Sequence, residues 1–214
     1  MKGIFITFEG TEGGGKSTQI QLLAERLRQP GRVVRVLREP GGTPIGEEIR
    51  HTLKHSEANR AMTSEAELLL MNGSRAQLVR EVIRPALAAG EMVLCDRFYD
   101  STTAYQGYGR QLDLAQVKAV IDFAVGPTRP DLTLLLDVPV EVSESRRQLR
   151  QAGADPAPRD RMEESGRAFF ERVQKGFHAI AAAEPKRVRI VDATREVATV
   201  SEDIWRVVAS LLGK

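Results

Sequence analysis

Cysteine is almost absent from this chain: Cys95 stands alone among 214 residues. An internal disulfide is therefore excluded, and a reducing compartment fits the composition. Histidine is scarce as well, at three residues. His51 and His55 lie four apart, but Thr52, Leu53 and Lys54 separate them, so the glutamate of an H-E-x-x-H zinc site is missing. No stretch reaches the roughly 18 apolar residues that a membrane span needs. The short apolar run in Met1 to Gly10 is broken by Glu9 and is too short for a secretory core. Net charge is nearly absent too, at +2 from 31 basic and 29 acidic residues. A balance this even gives no case for a nucleic-acid surface. The expectation is a soluble, cytoplasmic protein with neither nucleic acid nor membrane as partner, whose phosphate ligands are met by local clusters of basic groups.

Apolar residues make up 42% of the chain, enough for one domain spanning residues 1–214 with its own core. Short apolar runs alternate with helical patterns. Strands are expected at Ile4–Phe8, Val33–Leu37, Met92–Cys95, Leu132–Val138 and Val188–Val191. Helical spacing appears at Ile20, Leu23 and Leu27, and again from Leu114 to Val125 and from Val197 to Leu212. A long helix is expected from Ser64, with Glu67 placed to form a capping box and Pro85 to kink or end it. Pro139 suits the first turn of another helix. Residues 151–160 are small, polar and proline-rich and read as a mobile loop, followed by a helix from about Glu163. This order implies an α/β fold, a parallel sheet covered by helices on both faces.

The strongest local signal is Gly10-Thr11-Glu12-Gly13-Gly14-Gly15-Lys16-Ser17, which fits G-x-x-x-x-G-K-[ST] in full, with a strand before it and a helix after. Glycines let the backbone wrap phosphates with its N–H groups pointing inward, and the helix start adds its positive end. Lys16 would reach the β- and γ-phosphates, and the Ser17 hydroxyl would hold Mg²⁺. The motif specifies a nucleoside triphosphate and leaves open what receives the phosphoryl group. A kinase must also bring a second anion close, and Arg38, Arg50, Arg75 and Arg97 fall near the loops where guanidinium groups could meet it.

Four segments carry a resemblance: Glu9 to Thr18, Arg38-Glu39-Pro40-Gly41-Gly42-Thr43, Asp96-Arg97-Phe98, and Ser101-Thr102-Thr103-Ala104-Tyr105-Gln106-Gly107. With Asp160-Arg161-Met162-Glu163 and Val191-Asp192-Ala193-Thr194, the chain resembles the bacterial thymidylate kinases over essentially its whole length. The resemblance implies a three-layer P-loop NTPase fold with a five-stranded parallel sheet and a mobile lid at about 147–162. It implies transfer of a phosphoryl group from ATP to dTMP, giving dTDP for dTTP synthesis, with Mg²⁺ as cofactor and a homodimer as assembly. It implies that Arg97 contacts the dTMP phosphate and that Asp96 sits beside the metal and the reacting phosphates. Arg75, Thr102 and Gln106 would take the thymine ring, Tyr105 the deoxyribose, and Glu39 and Arg50 would complete the pocket. Glu12 would stand near the sugar and the acceptor phosphate, and Thr18 would close the ATP-binding loop.

The chain departs from the family pattern in three places. Met71 stands where the family commonly stacks a Phe on thymine, and a thioether can lie on an aromatic face but does not stack. Phe98 follows Asp96-Arg97 where Tyr or His is frequent. The phosphate loop has no Arg, so a lid residue must supply one, and Arg146, Arg150, Arg159 and Arg161 are the candidates, Arg161 being taken as catalytic. Kinases of dUMP, UMP or a deoxynucleoside are the nearest alternative. A GTP-binding switch would carry an Asn-Lys-x-Asp run, which this sequence lacks.

Overall fold

The computed structural model describes residues 3–29, 31–152, 160–162 and 164–213. Strand β1 (Ile4–Glu9) lies at the centre of a parallel sheet, between β3 (Met92–Asp96) and β4 (Leu132–Asp137). Strands β2 (Val34–Arg38) and β5 (Val188–Asp192) form the edges, in the order β2-β3-β1-β4-β5. Strand side chains alternate between faces. Ile6, Phe8, Leu94, Leu134 and Leu136 point to one side and pack on α1 (Lys16–Leu27) and α9 (Val197–Leu211). Phe5, Val93 and Cys95 point to the other, toward α3 (Ser64–Leu78) and α6 (Leu114–Val125). Leu135, on that same face, meets α8 (Arg167–Ala183). Full burial of side chains such as Phe5 and Phe8 stabilises the sheet by roughly 2 kcal/mol each.

The five expected strands are all present, with ends shifted by a residue at most. The helices depart further from expectation. Helix α2 (Pro44–Lys54) has no counterpart among the expected elements, although Thr43 caps it by accepting from the Gly46 N–H at 3.0 Å and Pro44 opens it. The cap of α3 is Thr63, which accepts from the Ala66 N–H, so the expected Ser64–Glu67 capping box does not form. Pro85 does not end the helical run. A π turn at Val79–Ile83 loosens the ladder ahead of it, and Pro85 then enters the first turn of α4 (Arg84–Ala88), where its missing N–H costs nothing. Helix α7 (Val140–Gln151) follows β4. Helix α8 begins four residues later than expected. Of the loop expected at 151–160, residues 153–159 lie outside the described part of the chain.

The segment around Tyr105 has the composition of a loop, yet it is helical: α5 (Tyr99–Thr102) runs directly into a π turn at Thr103–Gly109. That turn places Thr102, Tyr105 and Gln106, all buried, along the cleft at the carboxyl ends of the strands.

Candidate active site

The chain reverses its strand order at β1, and ligands of open parallel sheets sit outside the carboxyl ends of the strands at such a point. The phosphate loop leaves β1 there. Gly10, Gly13 and Gly15 adopt φ of 127°, 74° and 81°, which side chains with a Cβ rarely accept. At Gly10 the restriction is also steric, since a Cβ would lie 2.3 Å from the Leu136 carbonyl oxygen. Lys16, the first residue of α1, turns its Nζ back into the loop and donates to the carbonyl oxygens of Gly10 (3.1 Å) and Thr11 (2.9 Å). Burial and the Arg97 charge lower its affinity for a proton, against the pull of Glu12. The exposed Ser17 hydroxyl donates to Asp96 Oδ2 at 3.0 Å, joining loop to β3. An open cleft of about 1010 Å³ runs over Gly13, Gly14, Gly15, Lys16, Ser17 and Thr18 toward Arg38, Arg50 and Lys54.

Arg97 follows β3 in a left-handed conformation, φ 71°, unusual for a residue with a side chain and costing roughly 1–2 kcal/mol. That bend carries its guanidinium back across the loop. It donates to the Gly10 carbonyl (3.0 Å), Ser101 Oγ (2.9 Å), Glu12 Oε1 (2.7 Å) and the Tyr105 hydroxyl (3.2 Å). Burial alone would raise the Glu12 carboxyl, but Arg97 and Lys16 hold it well below the usual range, so it is a carboxylate. Ser101 in turn donates to Glu9 Oε2, and burial together with the Asp100 charge lifts Glu9 to about 8.

A second, more apolar cleft of about 380 Å³ opens beside the first. Met71, Tyr105 and Met162 form its apolar part, and Arg75, Thr102 and Gln106 its polar part. Arg75 is nearly sealed from solvent and gives Nε to Glu39 (2.8 Å), Nη1 to Asn72 and Thr102 (both 2.9 Å) and Nη2 to the Phe98 carbonyl (3.1 Å). Glu39 Oε1 has no hydrogen-bond partner among the described residues, and burial lifts this carboxyl to about 7 despite Arg75. Arg50, on α2, donates to the Pro40 carbonyl at 2.9 Å and faces the open cleft.

Apart from Gly10 and Thr11, whose carbonyls hold Lys16, the sequence-derived binding residues line two adjoining clefts. The lid arginines separate. Arg146 stands at the phosphate loop, donating to the Gly13 carbonyl (3.0 Å) and to the Ala193 carbonyl (3.2 Å). Arg161 is bonded to Glu67 on the side of the smaller cleft. Arg159 and the Arg150 side chain lie outside the described residues. Two participants are not evident from the sequence. Lys54 lines both clefts and pairs with Asp160 at 2.5 Å. It follows Arg50 by one helical turn, a spacing visible only once α2 is recognised. Glu67 is fully buried beneath the smaller cleft. Its position three residues after Ser64 points to a capping role that it does not play.

A family profile described as thymidylate kinase matches residues 8–204. The thymidylate kinase of Pseudomonas fluorescens is 49% identical over 212 residues, covering 99% of this chain and 98% of the relative. That of Alcanivorax borkumensis is 48% identical over 211 residues, again 99% and 98%. The crystal structure of thymidylate kinase from Ehrlichia chaffeensis superposes with a TM-score of 0.78 at 31% identity, covering 97% of this chain and all of that one. With its phosphate loop, its arginine-lined cleft and relatives of nearly half identical sequence along its whole length, this chain belongs to the thymidylate kinase family.

Proposed function

We propose that this protein transfers the γ-phosphoryl group of ATP to dTMP, yielding ADP and dTDP. One observation carries the reading: Glu12, Glu39, Lys54 and Arg97 line both clefts. A triphosphate on the phosphate loop and a nucleotide in the smaller cleft would therefore meet at these residues. The mixture of Met71 and Tyr105 with Arg75, Thr102 and Gln106 in the smaller cleft suits a methylated base with a polar edge. The base and sugar of ATP are assigned to a neighbouring hollow lined by Thr18, Gln19, Arg146, Ala193 and Arg195.

The acceptor is a phosphate oxygen that is already anionic at neutral pH, so transfer needs no strong base. It needs two negative groups held in line. Arg97 offers the acceptor phosphate a fork of donors, and Glu12 keeps that guanidinium aimed. Lys16 exchanges its two carbonyl partners for phosphate oxygens. Arg146 stands where it can join them at the phosphate loop, while Arg161 holds the segment beside the acceptor. Ser17 and Asp96 provide oxygen donors suited to magnesium. Among the described residues no group of three His, Cys, Asp or Glu side chains forms a protein cage for a metal. That fits an ion held mostly by nucleotide phosphates, and when bound it would neutralise charge on the β- and γ-oxygens.

The assembly proposed is a homodimer. Leu69 on α3 and Phe123 on α6 are 61% and 84% exposed, and these helices pack side by side. A second copy covering that face would bury both. The single, buried Cys95 accords with work in the reducing cytoplasm.

The test is ADP formation from Mg-ATP with dTMP, dUMP, UMP, dCMP, dGMP, AMP, thymidine or water as acceptor. Turnover strongest with dTMP is expected. Equal turnover with several monophosphates would void the thymine pocket, and ADP release independent of any acceptor would void the kinase.

A further inference from the structure

Glu67 has no accessible surface, yet it carries a carboxyl group and sits on α3 directly beneath the smaller cleft. Three side chains converge on that carboxyl. Gln106 donates Nε2 to Oε1 at 2.7 Å. Arg110 donates Nε to Oε1 at 3.2 Å and Nη2 to Oε2 at 3.1 Å. Arg161 donates to Oε2. A carboxylate clasped by two guanidinium groups accepts hydrogen bonds and cannot return one. The amide of Gln106 has only one end that can face it, the NH₂ end. The opposite flip would press two acceptor oxygens together where no water enters.

The consequence falls on the other end of that amide. Among the described residues no group donates to Gln106 Oε1, and Gln106 lines the cleft. Nearby, Thr102 fixes Arg75, whose hydrogen bonds to Glu39, Asn72, Thr102 and Phe98 occupy four of its five N–H groups. Besides the unpartnered Glu39 Oε1, the cleft thus holds a spare donor on Arg75 and a spare acceptor on Gln106. That pair answers a carbonyl beside a ring N–H, as in thymine and uracil. It opposes an amino group beside a bare ring nitrogen, as in cytosine.

We propose that Glu67 is a positioning residue that locks the Gln106 amide and through it sets the preference for a thymine-type over a cytosine-type base. The proposal rests on the dTMP kinase reading above. It assigns no contact between Glu67 and substrate. Glu67 acts by denying Gln106 its other orientation.

The experiment is a double-mutant cycle with Glu67→Gln, Gln106→Leu and the double variant, reading kcat/KM for dTMP and for dCMP beside the wild type. A neutral amide at position 67 can donate as well as accept, so Gln106 is free to flip. Glu67→Gln is expected to lower the dTMP-over-dCMP ratio by at least about 10-fold. In the Gln106→Leu background the same substitution should leave that ratio unchanged. If Glu67→Gln does not fold, Glu67→Asp serves instead, since it keeps the charge for both arginines but draws away from Gln106. Its predicted effect has the same sign and the same dependence on Gln106. An unchanged ratio, or equal losses with and without Gln106, would overturn the proposal and leave Glu67 as a tie for Arg110 and Arg161. Absence of dTMP turnover in the wild type would instead strike the kinase reading itself.

Discussion

Glu12 and Arg97 form an ion pair of 2.7 Å where the two clefts meet. Each is only partly shielded, and each borders both clefts. Arg97 must loosen some of its present bonds to accept a phosphate, so this pair rearranges when the acceptor binds, from a position set by the left-handed backbone at Arg97.

Replacing that fork with a point charge should be costly. Arg97→Lys is expected to lower kcat/KM for dTMP by about 100-fold or more, because an ammonium cannot match two phosphate oxygens and Glu12 at once. KM for ATP should move far less. Steady-state kinetics with each substrate varied in turn will read this.

Lys16→Ala should abolish turnover, by about 1000-fold or more, since the positive group that meets the transferred phosphoryl is lost. The fold should survive, because among the described residues the Lys16 side chain bonds only to carbonyls of the loop itself. ADP release and circular dichroism, measured on one preparation, separate the two effects.

Glu39 gives a pH dependence of defined sign. Its carboxyl rises from 4.5 to about 7 on folding, chiefly through burial. Between those values the folded protein keeps a proton that the unfolded chain has released, so this group's contribution to stability falls as pH rises from about 4.5 to 7. Above that window the loss is complete and constant. Thermal melts of metal-free protein should show the wild type losing ground to Glu39→Gln across that range. Parallel curves would refute the assignment.

Met71 lines the base side of the smaller cleft and is 9% exposed. Met71→Phe should lower KM for dTMP several-fold by adding a stacking face, a gain of about 0.5–1.5 kcal/mol. KM for ATP should hold constant. A higher KM for dTMP would mean that the ring does not fit between Arg75 and Met162.

Phe123→Glu should hold the protein as a monomer in light scattering, since a buried charge would oppose closure of the exposed apolar face on α3 and α6. If wild type and variant share one mass, the dimer face lies elsewhere.

Much of this is legible in the sequence. The five strands announce themselves as short apolar runs, and the phosphate loop as a fixed spacing of glycines with a lysine. Both are local patterns. The features that stay hidden are set by distant partners. Nothing near Glu67 reveals that Arg110 and Arg161 will converge on it from 43 and 94 residues away. The spacing from Ser64 fits a cap equally well, while Thr63 makes the actual one. The helix carrying Tyr105 is hidden for another reason. Gly107 and Gly109 read as loop punctuation, and the π turn breaks the periodicity by which helices are recognised. Helix α2 is obscured although Thr43-Pro44 is a good start signal, because Gly41-Gly42 just before it reads as a continuing loop.

The π turn at Thr103–Gly109 also limits which changes in chain length this site can survive. A π turn holds one residue more than an α turn. Removing a single residue there would restore regular winding, leaving the residues beyond the turn in place and redirecting those inside it, Tyr105 and Gln106 among them. Thr102 would still reach Arg75, but Gln106 would swing away from Glu67. Point substitutions can adjust this pocket one contact at a time, whereas a one-residue deletion in the turn would scramble half of it at a stroke.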